Sequence, residues 1–211
     1  MKILSLESSG HFSSISLFED EKCMDFIENR DKHAHNGALS SMINNCFNNN
    51  SVKASQIDLY VIDGGPGSFT GLRIGASLLK SLSFSVDKPF ISLNSTEIIA
   101  YKLMKQKKLA SGIIRVLYDG RQKDHFTADY RIENNEIIQI GDIIVEPYGN
   151  ESIEAVDYIC GVTESPTKPD SFLEIEPTAD FMGELARIKF KGISEKDDYQ
   201  PHYYKEFSFR K

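Results

Sequence analysis

Apolar positions along this chain switch between short β-type runs and longer helical ones. Lys2 to Leu6 (KILSL) is short and apolar-rich, as a central strand should be. Ser14 to Phe18 and Cys23 to Glu28 follow as further strands, and ESSGHFS between the first two reads as a hairpin connection. From Asn36 the spacing changes: Leu39, Met42, Ile43, Cys46 and Phe47 recur at helical intervals. Asn36 is the candidate cap of that helix, and the run Asn48 to Ser51 ends it. Ile57 to Ile62 is a β-branched strand, a second helix runs on to about Val86, and Pro89 to Leu93 is a closing strand. The order ββ(β)αβαβ predicts a mixed sheet with helices packed on it.

The second half repeats the theme loosely. Asn94 and Glu97 form a capping pair for a helix that ends in the basic cluster Lys105 to Lys108. Ile113 to Tyr118, His125 to Ile132 and Ile137 to Val145 are predicted strands, with Glu133 to Glu136 as a hairpin turn. Tyr158 to Cys160 and Phe172 to Ile175 are short strands flanking a surface loop, and Thr178 to Ile188 is an amphipathic helix. Two α/β lobes are expected, residues 1–97 and 98–211. Tyr203 and Tyr204 would pack the C-terminal tail back on the body.

Composition narrows the setting. The 211 residues are 40% hydrophobic and 26% charged, which predicts a folded chain large enough for two lobes. A net charge of −7 argues against autonomous nucleic-acid binding, because phosphate backbones favour a basic face. Three cysteines (Cys23, Cys46 and Cys160) show no CxxC pairing and read as buried free thiols in a reduced compartment. MKILSLESSG is too briefly apolar for a signal peptide, and no stretch is long enough for a membrane helix. A cytoplasmic, soluble protein is expected.

The candidate chemistry centres on Gly64 to Gly75 (GGPGSFTGLRIG), which sits between a strand and a helix, where phosphate loops occur. It lacks the lysine of a Walker A loop, and Ser68-Phe69-Thr70 breaks the third glycine of a dinucleotide fingerprint. Pro66 stiffens the segment, and Ser68 or Thr70 can cap the helix. Gly71 and Gly75 share a helical face that lets another backbone approach. The helix is apolar on two sides, with Leu72, Ala76, Leu79 and Leu82 on one and Ile74 and Leu78 on the other. Its second side predicts either burial within the chain or a protein–protein interface.

DGGPGSFTGLRIG (Asp63 to Gly75) resembles the signature of the TsaB/YeaZ family, the bacterial partner subunit in making threonylcarbamoyladenosine on tRNA. Weaker matches accompany it. Ile3 to Ser9 resembles the family's opening strand and Asp-Thr-Ser turn, with Glu7 in place of the usual Asp. His35 with Leu39 and Ile43 resembles its histidine-led first helix, and Asp119-Gly120-Arg121 its second-lobe Asp-x-Arg turn. Pro201 to Lys205 resembles its terminal Pro-x-Tyr-x-Arg, with Lys205 in place of Arg.

The resemblance implies a two-lobed actin/Hsp70/sugar-kinase-like (ASKHA) α/β fold without catalysis of its own. It implies a non-catalytic subunit that binds and stabilises the TsaD transferase, in a complex completed by the ATPase TsaE, and that also pairs with itself. Contact with tRNA would be indirect, no membrane is involved, and no cofactor is expected on this chain; ATP and metal belong on partner subunits. The docking face would comprise Leu39, Met42 and Ile43 of the first helix with Thr70, Gly71, Arg73, Ile74, Gly75 and Leu78 of the second. Glu7, Ser8, Ser9 and Gly10 are the candidate remnant of a nucleotide-binding turn, with Glu7 read as a solvated or hydrogen-bonded turn residue. His33 and His35 lack a third ligand for a metal. Two readings compete: an ATP-binding enzyme of the same superfamily with a degenerate loop, and an M22-peptidase-like protein with a degenerate metal site.

Overall fold

The computed structural model describes residues 1–31, 35–149 and 154–190, except the side chains of 35–37. Among the described residues the chain divides into two units, one built from residues 1–98 with 177–190 and the other from residues 99–176.

In the first unit, β1 (Lys2–Glu7), β2 (Ser13–Glu19) and β3 (Lys22–Asn29) form an antiparallel meander. β4 (Leu59–Asp63) then joins β1 in parallel and β5 (Phe90–Leu93) joins β4, giving the order β3-β2-β1-β4-β5. Side chains alternate across this sheet. Leu4 and Leu6 of β1, Ile15 and Leu17 of β2, and Tyr60 and Ile62 of β4 form one buried cluster with Leu39, Met42, Ile43 and Cys46 of α1 (His35–Asn49). Ala76 and Leu79 of α2 (Phe69–Ser85) complete it. α1 starts one residue before its expected cap, Asn36.

The opposite face of the sheet carries Ser5, Ser14 and Ser16, and these small residues admit α4 (Ala179–Lys189). Ser16 Oγ donates to the Ala179 carbonyl at 2.7 Å, and the Ala179 amide donates to Ser14 Oγ at 2.9 Å. Gly183 fits because any Cβ there would lie 2.8 Å from the Phe18 ring. The helix that sequence alone counts with the second lobe therefore belongs to the first unit. Its main partners, β1 and β2, are separated from it by more than 150 residues, which local periodicity cannot reveal. α3 (Ser95–Lys107) begins at the expected place, and its Glu97 carboxylate pairs with Lys189 of α4.

The second unit repeats the first sheet's strand order. β6 (Gly112–Asp119), β7 (Asp124–Glu133) and β8 (Glu136–Pro147) form a meander, while β9 (Tyr158–Val162) and β10 (Leu173–Glu174) add in parallel. The order β8-β7-β6-β9-β10 corresponds strand for strand to that of the first sheet. Among the described residues the connections after β8 and β9 are turns and loops, where the first unit has helices. No helix of the described residues is long and apolar enough to cross a membrane.

Candidate functional site

β1, β4 and β5 run parallel, so their carboxyl ends lie side by side, and the glycine-rich segment leaves from the middle one. Open α/β sheets place ligand crevices at this edge. Here the edge is filled by the chain's own groups. Glu7 ends β1 and Asp63 ends β4, and both carboxyls are buried, at 1% and 3% exposure. Glu7 Oε1 accepts from the Ser9 amide at 2.6 Å, from Ser9 Oγ at 2.7 Å and from the Gly10 amide at 3.2 Å. Asp63 Oδ1 accepts from the Gly65 amide and from Ser95 Oγ, each at 2.7 Å. Ser95 Oγ also lies 3.2 Å from Ser9 Oγ, which ties the three strand ends together.

Two buried carboxyls cannot both stay ionised cheaply at such range. Burial, then the charge of Asp63, pushes Glu7 well above the usual carboxylate range, and the two groups share a hydrogen bond. Burial also raises Asp63. Both shifts favour the protonated over the ionised form. Of the two readings of Glu7, the hydrogen-bonded turn residue holds and the solvated one does not.

The glycines serve close packing within this unit. A Cβ on Gly67 would lie 2.5 Å from Ser9 Cβ, one on Gly71 would lie 1.9 Å from the Ser8 carbonyl oxygen, and one on Gly75 would lie 2.3 Å from Ser8 Oγ. Ser68 caps α2, its Oγ accepting from the Gly71 amide at 3.3 Å. The Gly65–Pro66 peptide is cis. The backbone that approaches Gly71 and Gly75 is accordingly the chain's own β1–β2 connection, and these two residues present no open face for another chain.

The rest of the expected docking set divides cleanly. Leu39, Met42 and Ile43 are at most 5% exposed and pack under α1 in the core. The physical reason is that α1 has a single apolar stripe, and its own sheet uses it. Thr70 and Arg73 are exposed on α2, Arg73 stacking over the Phe69 ring at 4.1 Å, while Ile74 and Leu78 are half-buried against the core's edge. His33, the side chain of His35 and the Pro201–Lys205 motif with Tyr203 and Tyr204 lie outside the described residues. Among the described residues no three His, Cys, Asp or Glu side chains converge as metal ligands would.

Sequence reasoning missed the Glu7–Asp63 pair, whose one legible sign was a carboxylate at the end of each of two strands. It also took all three cysteines as buried. Cys46 and Cys160 are, but Cys23 is exposed near the outer end of the edge strand β3. In the second unit Asp119, Arg121 and Lys123 line a crevice with Tyr148 and Glu164, and the Asp119 side chain accepts from the Arg121 amide.

These features can be set beside known proteins. A family model described as TsaD, tRNA N6-adenosine threonylcarbamoyltransferase, matches residues 28–158, more than half of the chain. The Bacillus subtilis (strain 168) tRNA threonylcarbamoyladenosine biosynthesis protein TsaB is 28% identical over 141 residues, covering 66% of this chain and 59% of that protein. The protein of the same name from Buchnera aphidicola subsp. Acyrthosiphon pisum is 29% identical over 135 residues, covering 64% and 60%. Each match thus spans less than two thirds of the relative's own length. Among solved structures, an uncharacterized Pseudomonas aeruginosa protein with similarity to peptidase YEAZ superposes with a TM-score of 0.82 at 20% identity, covering 97% of this chain and 99% of that one. YeaZ from Pseudomonas aeruginosa gives 0.75 at 19% identity, covering 89% and 92%. At such identities the structural likeness speaks for the fold alone, an α/β fold of two mixed five-stranded sheets with packed helices. With the family match over residues 28–158, the named TsaB relatives and the DGGPGSFTGLRIG signature, the chain belongs to the TsaB/YeaZ family, within the wider family of the transferase TsaD.

Proposed function

We propose that this chain is a non-catalytic subunit in the synthesis of threonylcarbamoyladenosine on tRNA, binding and stabilising a TsaD-like transferase. The observation that carries this reading is the closed turn after β1. In a nucleotide-binding turn, backbone amides would be left to meet phosphate oxygens. Here the Ser9 and Gly10 amides are taken by the Glu7 carboxyl, and the glycine face of α2 is pressed on Ser8. A phosphate arriving there would meet a buried carboxyl pair in place of free donors. A supporting role, with ATP and metal held by partner subunits, fits that arrangement and the names of the relatives.

The docking surface is narrower than the sequence implies. It consists of Thr70, Arg73, Ile74 and Leu78 on the outward side of α2, with the polar outer side of α1 beside it. A TsaE-like ATPase would join through the transferase, and tRNA would be held mainly by partners, given the −7 charge of this chain. A cytoplasmic location follows from that role.

The test mixes purified chain with a TsaD-like transferase on a sizing column and measures threonylcarbamoyladenosine formed on tRNA. Wild-type chain should co-elute and support modification. Arg73→Glu and Ile74→Asp should weaken the complex at least about tenfold, the scale of losing one interface anchor, with melting behaviour kept. ATP turnover by the isolated chain, or modification that is indifferent to both substitutions, would overturn the proposal.

A further inference from the structure

The second unit carries a crevice of about 530 Å³ lined by Asp119, Arg121, Lys123, Tyr148, Glu164 and Thr167, among others. Asp119 is the last residue of β6, and Glu164 lies two residues past the end of β9. These strands are parallel, so the crevice occupies the carboxyl edge of this sheet, the same edge that the first unit fills with its own carboxyl pair.

Behind the crevice runs a connected set of polar groups. Tyr148 Oη donates to Asp119 Oδ1 at 2.9 Å, and the Arg121 amide donates to the same oxygen at 3.0 Å. The Tyr148 ring lies 4.4 Å from the ring of His125, which is fully buried. His125 Nε2 hydrogen-bonds Thr163 Oγ1, and that oxygen accepts from the Ser165 amide at 3.0 Å. Ser165 Oγ and Thr167 Oγ1 are 2.8 Å apart. The series thus begins at one wall of the crevice and ends at the other. Burial, then the bond to Asp119, pushes the Tyr148 phenol up to about 12, so it remains a donor at neutral pH. Buried polar groups of this kind are stable only when linked, and linked they fix geometry.

The connection between β6 and β7 is strained. Arg121, Gln122 and Lys123 have φ of 56°, 57° and 65°, three consecutive left-handed residues of which none is glycine. Such conformations persist where the surroundings impose them, and they concentrate at functional sites. This one sets two cationic side chains at the rim of a crevice that also holds two carboxylates.

That charge pattern selects a ligand. A bare anion would face Asp119 and Glu164, a bare cation would face Arg121 and Lys123, and an apolar molecule would take charged groups of both signs out of water. We propose that the crevice binds a free α-amino acid as its zwitterion, with the carboxylate toward Arg121 and Lys123 and the ammonium toward Asp119 and Glu164. Thr167 offers a hydroxyl beside it. The site lies wholly within the second unit and stands apart from the docking reading above.

Calorimetry on the isolated full chain tests it, with glycine and L-threonine as zwitterions, acetate and methylamine as their two halves, and inorganic phosphate as a bare anion. The zwitterions should bind with a dissociation constant below ~1 mM at low salt and at least about tenfold more tightly than either half. Arg121→Ala, Glu164→Gln and Tyr148→Phe should each weaken binding about tenfold or more, with thermal melting confirming that the variants fold. Arg121→Gly should weaken binding as much as Arg121→Ala and yet raise Tm by ~3 °C, because glycine relieves a left-handed residue. A merely structural turn would not separate those two readouts. Silence of the zwitterions up to ~10 mM, phosphate binding tighter than L-threonine, or a lower Tm in Arg121→Gly would each overturn the proposal.

Discussion

Ser8 Oγ donates a 3.0 Å hydrogen bond to the carbonyl of Gly71, across a contact so close that a Cβ on Gly71 would sit 1.9 Å from the Ser8 carbonyl oxygen. The end of β1 and the first turn of α2 are thereby joined side chain to backbone. The contact explains glycine at this position more directly than any ligand would.

Gly71→Ala should therefore destabilise the chain by about 3 kcal/mol, since the obstruction is main chain that cannot rotate away. Gly75→Ala meets the Ser8 hydroxyl at 2.3 Å, a group that can turn aside by giving up its bond to Gly71. Its cost should be nearer about 1 kcal/mol, the worth of one hydrogen bond. Urea denaturation of the two variants side by side checks the order, and equal losses would contradict it.

The carboxyl pair predicts a pH dependence of definite sign. Glu7 lies well above its ordinary value of 4.5 because of burial and then the charge of Asp63, so the native state keeps a proton that the unfolded chain releases. Stability from this proton is complete below the ordinary carboxylate range and declines as pH rises through the raised native value. Glu7→Gln, which imitates the protonated form, should flatten that decline. It should exceed wild type by about 1.4 kcal/mol or more at alkaline pH, the worth of a tenfold difference in proton affinity between the folded and unfolded chain. Denaturation midpoints measured at about pH 5, 7 and 9 decide the matter, and a variant that loses stability in parallel with wild type would refute it.

Thiol accessibility should split the cysteines one against two. Cys23 is exposed, whereas Cys46 and Cys160 are buried, the Cys46 thiol pushed up to about 12 first by desolvation and the Cys160 thiol raised by desolvation as well. An aromatic disulfide reagent should titrate one thiol rapidly in the native chain and the other two only on unfolding. Rapid labelling of Cys160 in buffer would show that the second sheet opens readily.

Periodicity made most elements legible, because strands and helices of this chain each carry one clear apolar pattern. α1 and α2 lie within a few residues of their expected spans, and Ser68 caps where its chemistry suggested. Partners were harder to read than elements. Leu39, Met42 and Ile43 look identical in sequence whether they meet a neighbouring protein or β2 of their own sheet. Glu7 and Asp63 are 56 positions apart, and only parallel pairing of β1 with β4 places them together. The Tyr148–His125–Thr163 series was out of reach for the same reason, being assembled from three strand ends. Asp-Gly-Arg at 119–121 was visible as a turn, but its left-handed backbone was not, since none of residues 121–123 is a glycine.

The placement of α4 has a consequence for synthesis on the ribosome. The serine face of β1 and β2 emerges before residues 99–176 of the second unit, yet the helix that covers it follows only after them. Vectorial folding, in which early segments settle before late ones appear, cannot complete the first unit in sequence order. The nascent chain carries that sheet half-clothed until residues 179–189 clear the exit tunnel. Proteins of this arrangement thus depend on a helix made after the second unit to close what β1 and β2 begin.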